Sequence, residues 1–364
     1  MMAGLTSRYP IGIDIGETHV AAVQIGRERK KIVIRGLYYR DLDGAAENDG
    51  QLMSALKEIA KSRSFSGRRV VLSVPSRDLS IFPVRFQADE SGSLEEAMLA
   101  ESEKLLPFPL DEAVIDYPSL VSGIDGDTKV HKALVVAIRR EDLKRYMALL
   151  EEAGLHIEAF DFSGAALMRL HASLYGMSSD PAILGHIGDS KSLLVVASKE
   201  SIAVQRDLPW GSDVLIREFL ATLDISNDRD KAKAMLKRHG LSFENHDVTT
   251  LGEEENQEAI GADRTVYQII TPHIDEFLLE VDKAIGYVRA EERQPVFEGI
   301  YLYDHASLVP SLDKYVERRL HIKTEVVNPL KRIALSDERL LAAVPEDAPL
   351  ALALGLAMRR VSWP

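Results

Sequence analysis

The sequence predicts an α/β protein built from two related lobes, and three observations carry that prediction. A stretch near the N-terminus, Ile11-Gly12-Ile13-Asp14-Ile15-Gly16-Glu17-Thr18-His19, returns in altered form as Leu184-Gly185-His186-Ile187-Gly188-Asp189-Ser190-Lys191. In both, an apolar run meets an Ile-Gly pair, then an acid, a hydroxyl residue and a basic residue. A second apolar run follows, Val20 to Ile25 or Leu193 to Ala197, which is the pattern of a tight β-hairpin. Finally, 364 residues of 46% hydrophobic composition exceed one ordinary core and suit two.

The elements between the hairpins follow the same alternation. Ile32, Ile34, Gly36 and Tyr38 alternate with Val33, Arg35 and Leu37 as a third strand, and Leu52, Leu56, Ile59 and Ala60 mark an amphipathic helix. Val70-Val71-Leu72-Ser73-Val74 is a short buried strand that stops at Pro75. From Ile81 to about Ile157 the pattern changes into a small α/β insertion. Within it Ser93 and Glu96 form a capping box, a helical face runs through Leu94, Ala97, Met98 and Leu105 to Pro107, and Leu134 to Ile138 is a strand. Leu143, Tyr146, Met147 and Leu150 make its second helix, with Gly154 placed as the C′ residue.

The second half repeats the plan with strands at 182–187, 193–197 and 201–206, then Gly211-Ser212-Asp213 opening a helix. A second insertion, 227–262, carries Lys231, Lys233, Lys237 and Arg238 on a helix and then an acidic stretch, 252–258, read as a loop. Thr271-Pro272 reads as the restart of a long helix with proline at N1, its Ile274, Phe277, Leu278, Val281, Ala284, Ile285 and Val288 facing the core. Strand 299–303, helix 311–320, strand 323–327 and an apolar helix at 349–361 complete the lobe.

Composition narrows the function. The formal charge of −13 disfavours bulk attraction to nucleic acid or anionic lipid, so an anion would need a local concentration of donors. With no cysteine there are no disulfides or thiolate metal sites. Met1 to Pro10 lacks the apolar core of a signal peptide, and no run is long enough to span a bilayer, which points to a soluble cytoplasmic protein without direct membrane insertion. The remaining histidines show no metal-ligand spacing, and Ser73 and Ser163 lack a nucleophile-elbow context. The Lys231–Arg238 helix reads best as a solvated face.

The hairpins carry what chemistry there is. Glycine at such a turn permits φ > 0 and close approach of backbone N–H groups to an anion, and the hydroxyl adds a donor. Two hairpins facing each other could hold a polyphosphate. For Asp189 and Ser190 an ordinary Asp/Ser turn is an equal reading.

Two β-β-β-α-β lobes, each opened by such a hairpin and each carrying an insertion, resemble the superfamily of actin, the heat-shock chaperones and the sugar kinases. That resemblance implies an actin-like, ribonuclease H-like duplicated fold. More narrowly the chain resembles the PilM family of actin-like type IV pilus assembly proteins. The resemblance is carried by Gly12-Ile13-Asp14-Ile15-Gly16, Ser73-Val74-Pro75, Glu101 with Leu106-Pro107-Phe108-Pro109-Leu110-Asp111-Glu112, Ala137-Ile138-Arg139-Arg140-Glu141, Leu208-Pro209-Trp210-Gly211, Asn328-Pro329-Leu330 and Ala353-Leu354-Gly355-Leu356-Ala357. The expected division is 1–80, 158–180 and the helix at 347–364 for the first-lobe core, 81–157 for its insertion, 181–226 and 263–346 for the second-lobe core, and 227–262 for its insertion.

The resemblance implies a scaffold at the inner face of the cytoplasmic membrane. Its partner would be the cytoplasmic tail of a single-span PilN-like protein, held in a groove between the first lobe and its insertion, with other pilus platform proteins nearby. By analogy the partner surface includes Glu101, Phe108, Pro109 and Asp111. It also implies a nucleotide cleft formed by Asp14, Gly16, Glu17, Thr18, His19, Gly188, Asp189, Ser190 and Lys191, with ATP as ligand and Asp14 holding Mg²⁺ through water.

Two departures argue that this cleft is degenerate. His186 stands where the superfamily has an aspartate, and imidazole is a poor Mg²⁺ ligand. Where the family has glycines lying flat against adenosine, this chain has Tyr303-Asp304-His305-Ala306-Ser307-Leu308, whose Cβ atoms narrow the pocket and make φ > 0 costly. Two alternatives remain. One is an active ATPase or small-molecule kinase, for which Asp161 would be the base. The other is a filament former like FtsA, against which stands the lack of an amphipathic tail before Trp363-Pro364.

Overall fold

The computed structural model describes residues 9–29, 31–42, 49–87, 93–125, 128–199, 201–223, 228–242, 254–291 and 295–361. Met1 to Arg8, Asn227, Gly252, Glu253 and Trp363-Pro364, on which expectations were placed above, lie outside these residues.

Each half lays down five strands in one order. In the first, β1 (Ile11–Ile15), β2 (His19–Glu28) and β3 (Lys31–Asp41) form an antiparallel meander, helix α1 (Asp49–Lys61) crosses over, and β4 (Arg69–Ser73) returns parallel to β1. A three-stranded antiparallel insertion follows, made of β5 (Leu79–Phe86), helix α2 (Leu94–Glu103), β6 (Ala113–Asp125) and β7 (Thr128–Arg139). Helix α3 (Arg140–Ala153) then leads to β8 (His156–Asp161), parallel to β4, and helix α4 (Ser163–Tyr175) links the halves.

The second half repeats this with β9 (Ala182–Ile187), β10 (Ser192–Ala197), β11 (Ile202–Leu208) and the helices α5 (Ser212–Thr222), α6 (Arg229–His239) and α7 (Glu254–Glu291). Next come β12 (Gly299–Asp304), α8 (Leu312–Leu320), β13 (Thr324–Val327), α9 (Pro329–Arg332), β14 (Ala334–Leu335) and α10 (Ala351–Ala357). The sheet orders β3-β2-β1-β4-β8 and β11-β10-β9-β12-β13 match strand for strand and in sense, which establishes the duplication. β14 adds itself to β3, so the second half supplies an edge strand to the first sheet.

Alternation along β1 explains what each face meets. Ile11, Ile13 and Ile15 point into a core shared with α1 and α3, through Leu52, Leu56, Ile59, Tyr146 and Leu150. Gly12 faces α10, which lies so close that a methyl there would overlap the Ala353 carbonyl. A second apolar cluster, drawn from β2, β3, β9, β10, α4 and α10, joins the two lobes into one body. Gly355 lets α10 pack closely against the Ala166 carbonyl of α4.

Local signals hold at several positions. Ser93 accepts a hydrogen bond from the Glu96 amide at 3.4 Å and caps α2, and Gly154 ends α3 with φ 76°. Leu105, expected on the buried face of α2, falls beyond the helix and is 54% exposed.

Thr271-Pro272 does not restart a helix. α7 runs unbroken from Glu254 to Glu291 with Pro272 inside it, and residues 254–258, read as loop, form its first turns. Val266 and Ile270 before the proline share one core with Ile274, Phe277 and Leu278 after it, so burial along the stripe outweighs the missing N–H. Among the described residues no helix is long and apolar enough to cross a membrane.

Candidate nucleotide cleft and docking groove

The repeat places its two turns face to face. Each closes in the same way, Gly16 N–H donating to the His19 carbonyl at 2.9 Å and Gly188 N–H to the Lys191 carbonyl at 3.1 Å. Asp14, Gly16, Glu17, Thr18, His19, Gly188, Asp189, Ser190 and Lys191, far apart in sequence, all line one cavity. The structure adds Ser76, Ser163 and Asp207 to its walls, which only the tertiary fold assembles.

The two turns are also tied to each other. Thr18 Oγ1 donates to Asp189 Oδ2 at 3.1 Å, and Lys191 Nζ donates to Glu17 Oε1 at 2.9 Å. Glu17 Oε2 accepts from Arg77 Nη1 at 3.1 Å. With these ties made the cavity is about 70 Å³, whereas sites for small ligands usually enclose a few hundred. His19 is buried behind its turn, its ring stacked on Tyr39 with centroids 5.5 Å apart and its Nε2 3.6 Å from Asp14 Oδ2.

The helix that follows the second hairpin is used up internally. The amides of Ser212 and Asp213 at the start of α5 donate to the Gly188 and Asp189 carbonyls at 3.0 and 2.9 Å. Gly211 is what permits this approach, since a Cβ there would overlap the Asp189 carbonyl.

His186 occupies the register position of Asp14, two residues before the turn glycine, and is almost fully buried. Its Nε2 stands 3.0 Å from Asp304 Oδ2 as an ion-pair contact. Burial alone would lower its pKa, but Asp304, with Asp14 and Asp189 beyond, raises it above the usual histidine value.

The segment Tyr303 to Leu308 is packed inward. Tyr303, His305, Ala306 and Leu308 are buried, and residues 305–308 make a 3-10 turn. His305 Nδ1 meets Ser212 Oγ at 3.0 Å and its Nε2 meets the Asp347 carbonyl at 3.1 Å. A positive φ, expected to be costly, is nonetheless adopted at Asp304 (58°), because its carboxylate accepts from the Leu350 and Ala351 amides at 3.1 and 3.2 Å and caps α10. The opening on this side, lined by Asp304, Ser307, Asn328 and Asp347 among others, is about 20 Å³.

These residues do not fit Mg²⁺ with a triphosphate as they stand. Among the described residues no group of three His, Asp or Glu converges as a metal site. The two glycine amides are committed, and carboxylates outnumber cations along the cavity wall.

A larger cavity, about 530 Å³, opens between the first lobe and its insertion. Val74, Phe160 and Phe162 form one wall, and Val114, Ile115, Pro118, Val136 and Ile138 of β6 and β7 form the other, with Leu143 of α3. At one end Asp161 is held by both Arg169 and Arg359. β6 is an edge strand of its sheet, and its pairing with β7 shifts register between Asp116 and Ser119 beside this groove.

Residues 12–361 match the family described as type IV pilus assembly protein PilM. The chain belongs to the PilM family. Among solved structures it is similar to the PilM-PilN type IV pilus biogenesis complex, with 20% identity, 99% of this chain and 100% of that chain covered, and a TM-score of 0.72. It is also similar to the ethanolamine utilization protein EutJ from Carboxydothermus hydrogenoformans (13% identity, 98% and 91% covered, TM-score 0.51). MreB5 of Spiroplasma citri bound to ADP gives 14% identity, 98% and 97% covered, and a TM-score of 0.50. At these identities the structural likeness shows the shared actin-like fold.

Within this PilM-family chain, none of the residues proposed from sequence for the partner surface, Pro109 included, lines the groove. Glu101 lies on α2, paired with Lys104 at 2.6 Å, and Phe108 sits under the Arg139 guanidinium at 4.8 Å from its ring centre. Asp111 lines a separate recess of about 300 Å³ with Glu112, Arg139, Arg140, Glu141 and Lys144. The groove residues carried no local signal, because β6 and β8 meet across it only in the folded chain.

Proposed function

We propose that this protein is a docking scaffold of type IV pilus assembly, or of a related type II secretion machine. It sits on the cytoplasmic face of the inner membrane by holding the cytoplasmic tail of a single-span PilN-like protein. The observation that carries this reading is the 530 Å³ groove, whose apolar walls come from the first lobe and the edge of the inserted sheet. A tail extended along it would find apolar side-chain pockets, an adjacent edge strand and, at the Asp161 end, two guanidinium groups. Asp111 and its neighbours, in their separate recess, are proposed to receive another part of the tail.

In this reading the hairpin cleft is degenerate and frames the docking body. Asp161, the candidate base of a kinase, is 3% exposed and its carboxylate is already engaged by two arginines.

The test is titration of the intact protein with a synthetic peptide of the PilN-like tail from the same genome. Binding on the order of 1–100 μM is expected. Absence of heat at peptide concentrations on the order of 1 mM would overturn the assignment.

A further inference from the structure

We infer that Glu17 is the resident occupant of the anion position between the two hairpins, a carboxylate of the chain's own standing where such a cleft would hold the phosphate of a nucleotide. The inference rests on reading the paired turns as a former phosphate grip. Glu17 uses both oxygens, one toward each side of the cleft. Oε1 takes Lys191 from the second hairpin at 2.9 Å, and Oε2 takes Arg77, from the 3-10 turn after β4, at 3.1 Å. Its side chain is 22% exposed, so both contacts are partly shielded from water.

A phosphate oxyanion and a carboxylate present the same chemistry to an ammonium and a guanidinium: two oxygens sharing negative charge. The difference is tethering. Glu17 hangs from the turn itself, so its effective concentration at the two cations greatly exceeds that of any free anion in the cell. A nucleotide phosphate arriving here must displace it and then lie beside Asp14, Asp189 and Asp207, with no Lys or Arg other than Lys191 among the described residues lining the cavity. Glu17 thereby latches the lobes at the mouth of the cleft, while the apolar cluster around α4 and α10 joins them behind it.

The ligand class that Glu17 excludes is phosphate and its esters, and its removal should admit them. The intact protein, Glu17→Gln and Glu17→Ser would be titrated with inorganic phosphate, ADP and ATP by calorimetry. The unaltered protein should bind weakly, with Kd on the order of 1 mM or above, and both variants at least about tenfold more tightly. The gain should vanish when Lys191→Met is added. Silence of both the unaltered protein and the variants overturns the inference while leaving the cleft degenerate. Tight ATP binding by the unaltered protein overturns the inference and the degenerate cleft together. If neither variant folds, amide exchange of the unaltered protein at 188–192 is decisive: protection unchanged by phosphate on the order of 0.1 mM supports the inference, and new protection overturns it. Tail-peptide binding should be equal in all variants; its absence would sink the docking assignment and leave the role of Glu17 standing.

Discussion

Thr18 and Asp189, 171 residues apart in sequence, share a hydrogen bond of 3.1 Å that joins the turn of one lobe to the turn of the other. Duplication gave each lobe the same hairpin, and here the hydroxyl of the first serves the acid of the second. Thr18→Val keeps the shape and removes the donor. The cost should be about 1 kcal/mol, read as a lower urea midpoint, with faster amide exchange in both turns. Unchanged exchange in the second hairpin would show that the contact does not couple the lobes.

Gly355→Ala tests the crossing of α4 and α10. Alanine is the better helix former, yet its methyl would overlap the Ala166 carbonyl, and backbone cannot step aside cheaply. The variant should lose about 2–4 kcal/mol and melt several degrees lower in calorimetry.

Pro272→Ala should act in the opposite direction. Position 272 lies inside a continuous helix, where proline removes an intrahelical hydrogen bond and crowds the preceding turn. A gain of about 1–3 kcal/mol is expected, visible as a raised urea midpoint with no change in slope.

His171 makes stability depend on acid. It is fully buried, donates to or accepts from Tyr303 Oη at 3.0 Å, and burial pushes its pKa down to about 4. Between that value and the unfolded value near 6.5, the unfolded chain binds the proton and the folded chain does not. Stability from this residue is therefore complete above about pH 6.5 and falls as the pH drops toward 4, by roughly 3 kcal/mol in all. His171→Gln should flatten the urea midpoint across this window; an unchanged slope would assign the acid sensitivity elsewhere.

Leu143→Arg should separate groove from surroundings. A charge placed on the groove wall should weaken tail-peptide binding more than about tenfold with the fold retained by circular dichroism. Phe108→Ala, which touches Arg139 but not the groove, should change it by less than about threefold.

Much of the fold was legible because local chemistry and global position agreed. Gly154 and Ser93 end and begin their helices as their types dictate, and the repeated hairpin announced two sheets of one plan. The long helix misled because Pro272 after Thr271 is a local start signal, whereas the deciding quantity was burial of Val266 and Ile270 on the same face as Ile274. The cleft residues were readable from the repeat, but their mutual bonds were not. That Glu17 reaches Lys191 depends on how the lobes close, a relation with no sequence spacing. The groove was foreseen as a place and not as residues, since Val74, Ile115 and Phe160 are ordinary core types until the insertion leaves them facing a gap.

The helix that covers Gly12 comes from the far end of the duplicated body. While the ribosome is still making the second lobe, β1 and β4 can pair, but the face that α10 will occupy stays bare, and the edge beside β3 waits for β14. The first lobe therefore cannot mature as it emerges. A nascent chain stalled after α4 would leave the seam that α10 later fills as open apolar surface.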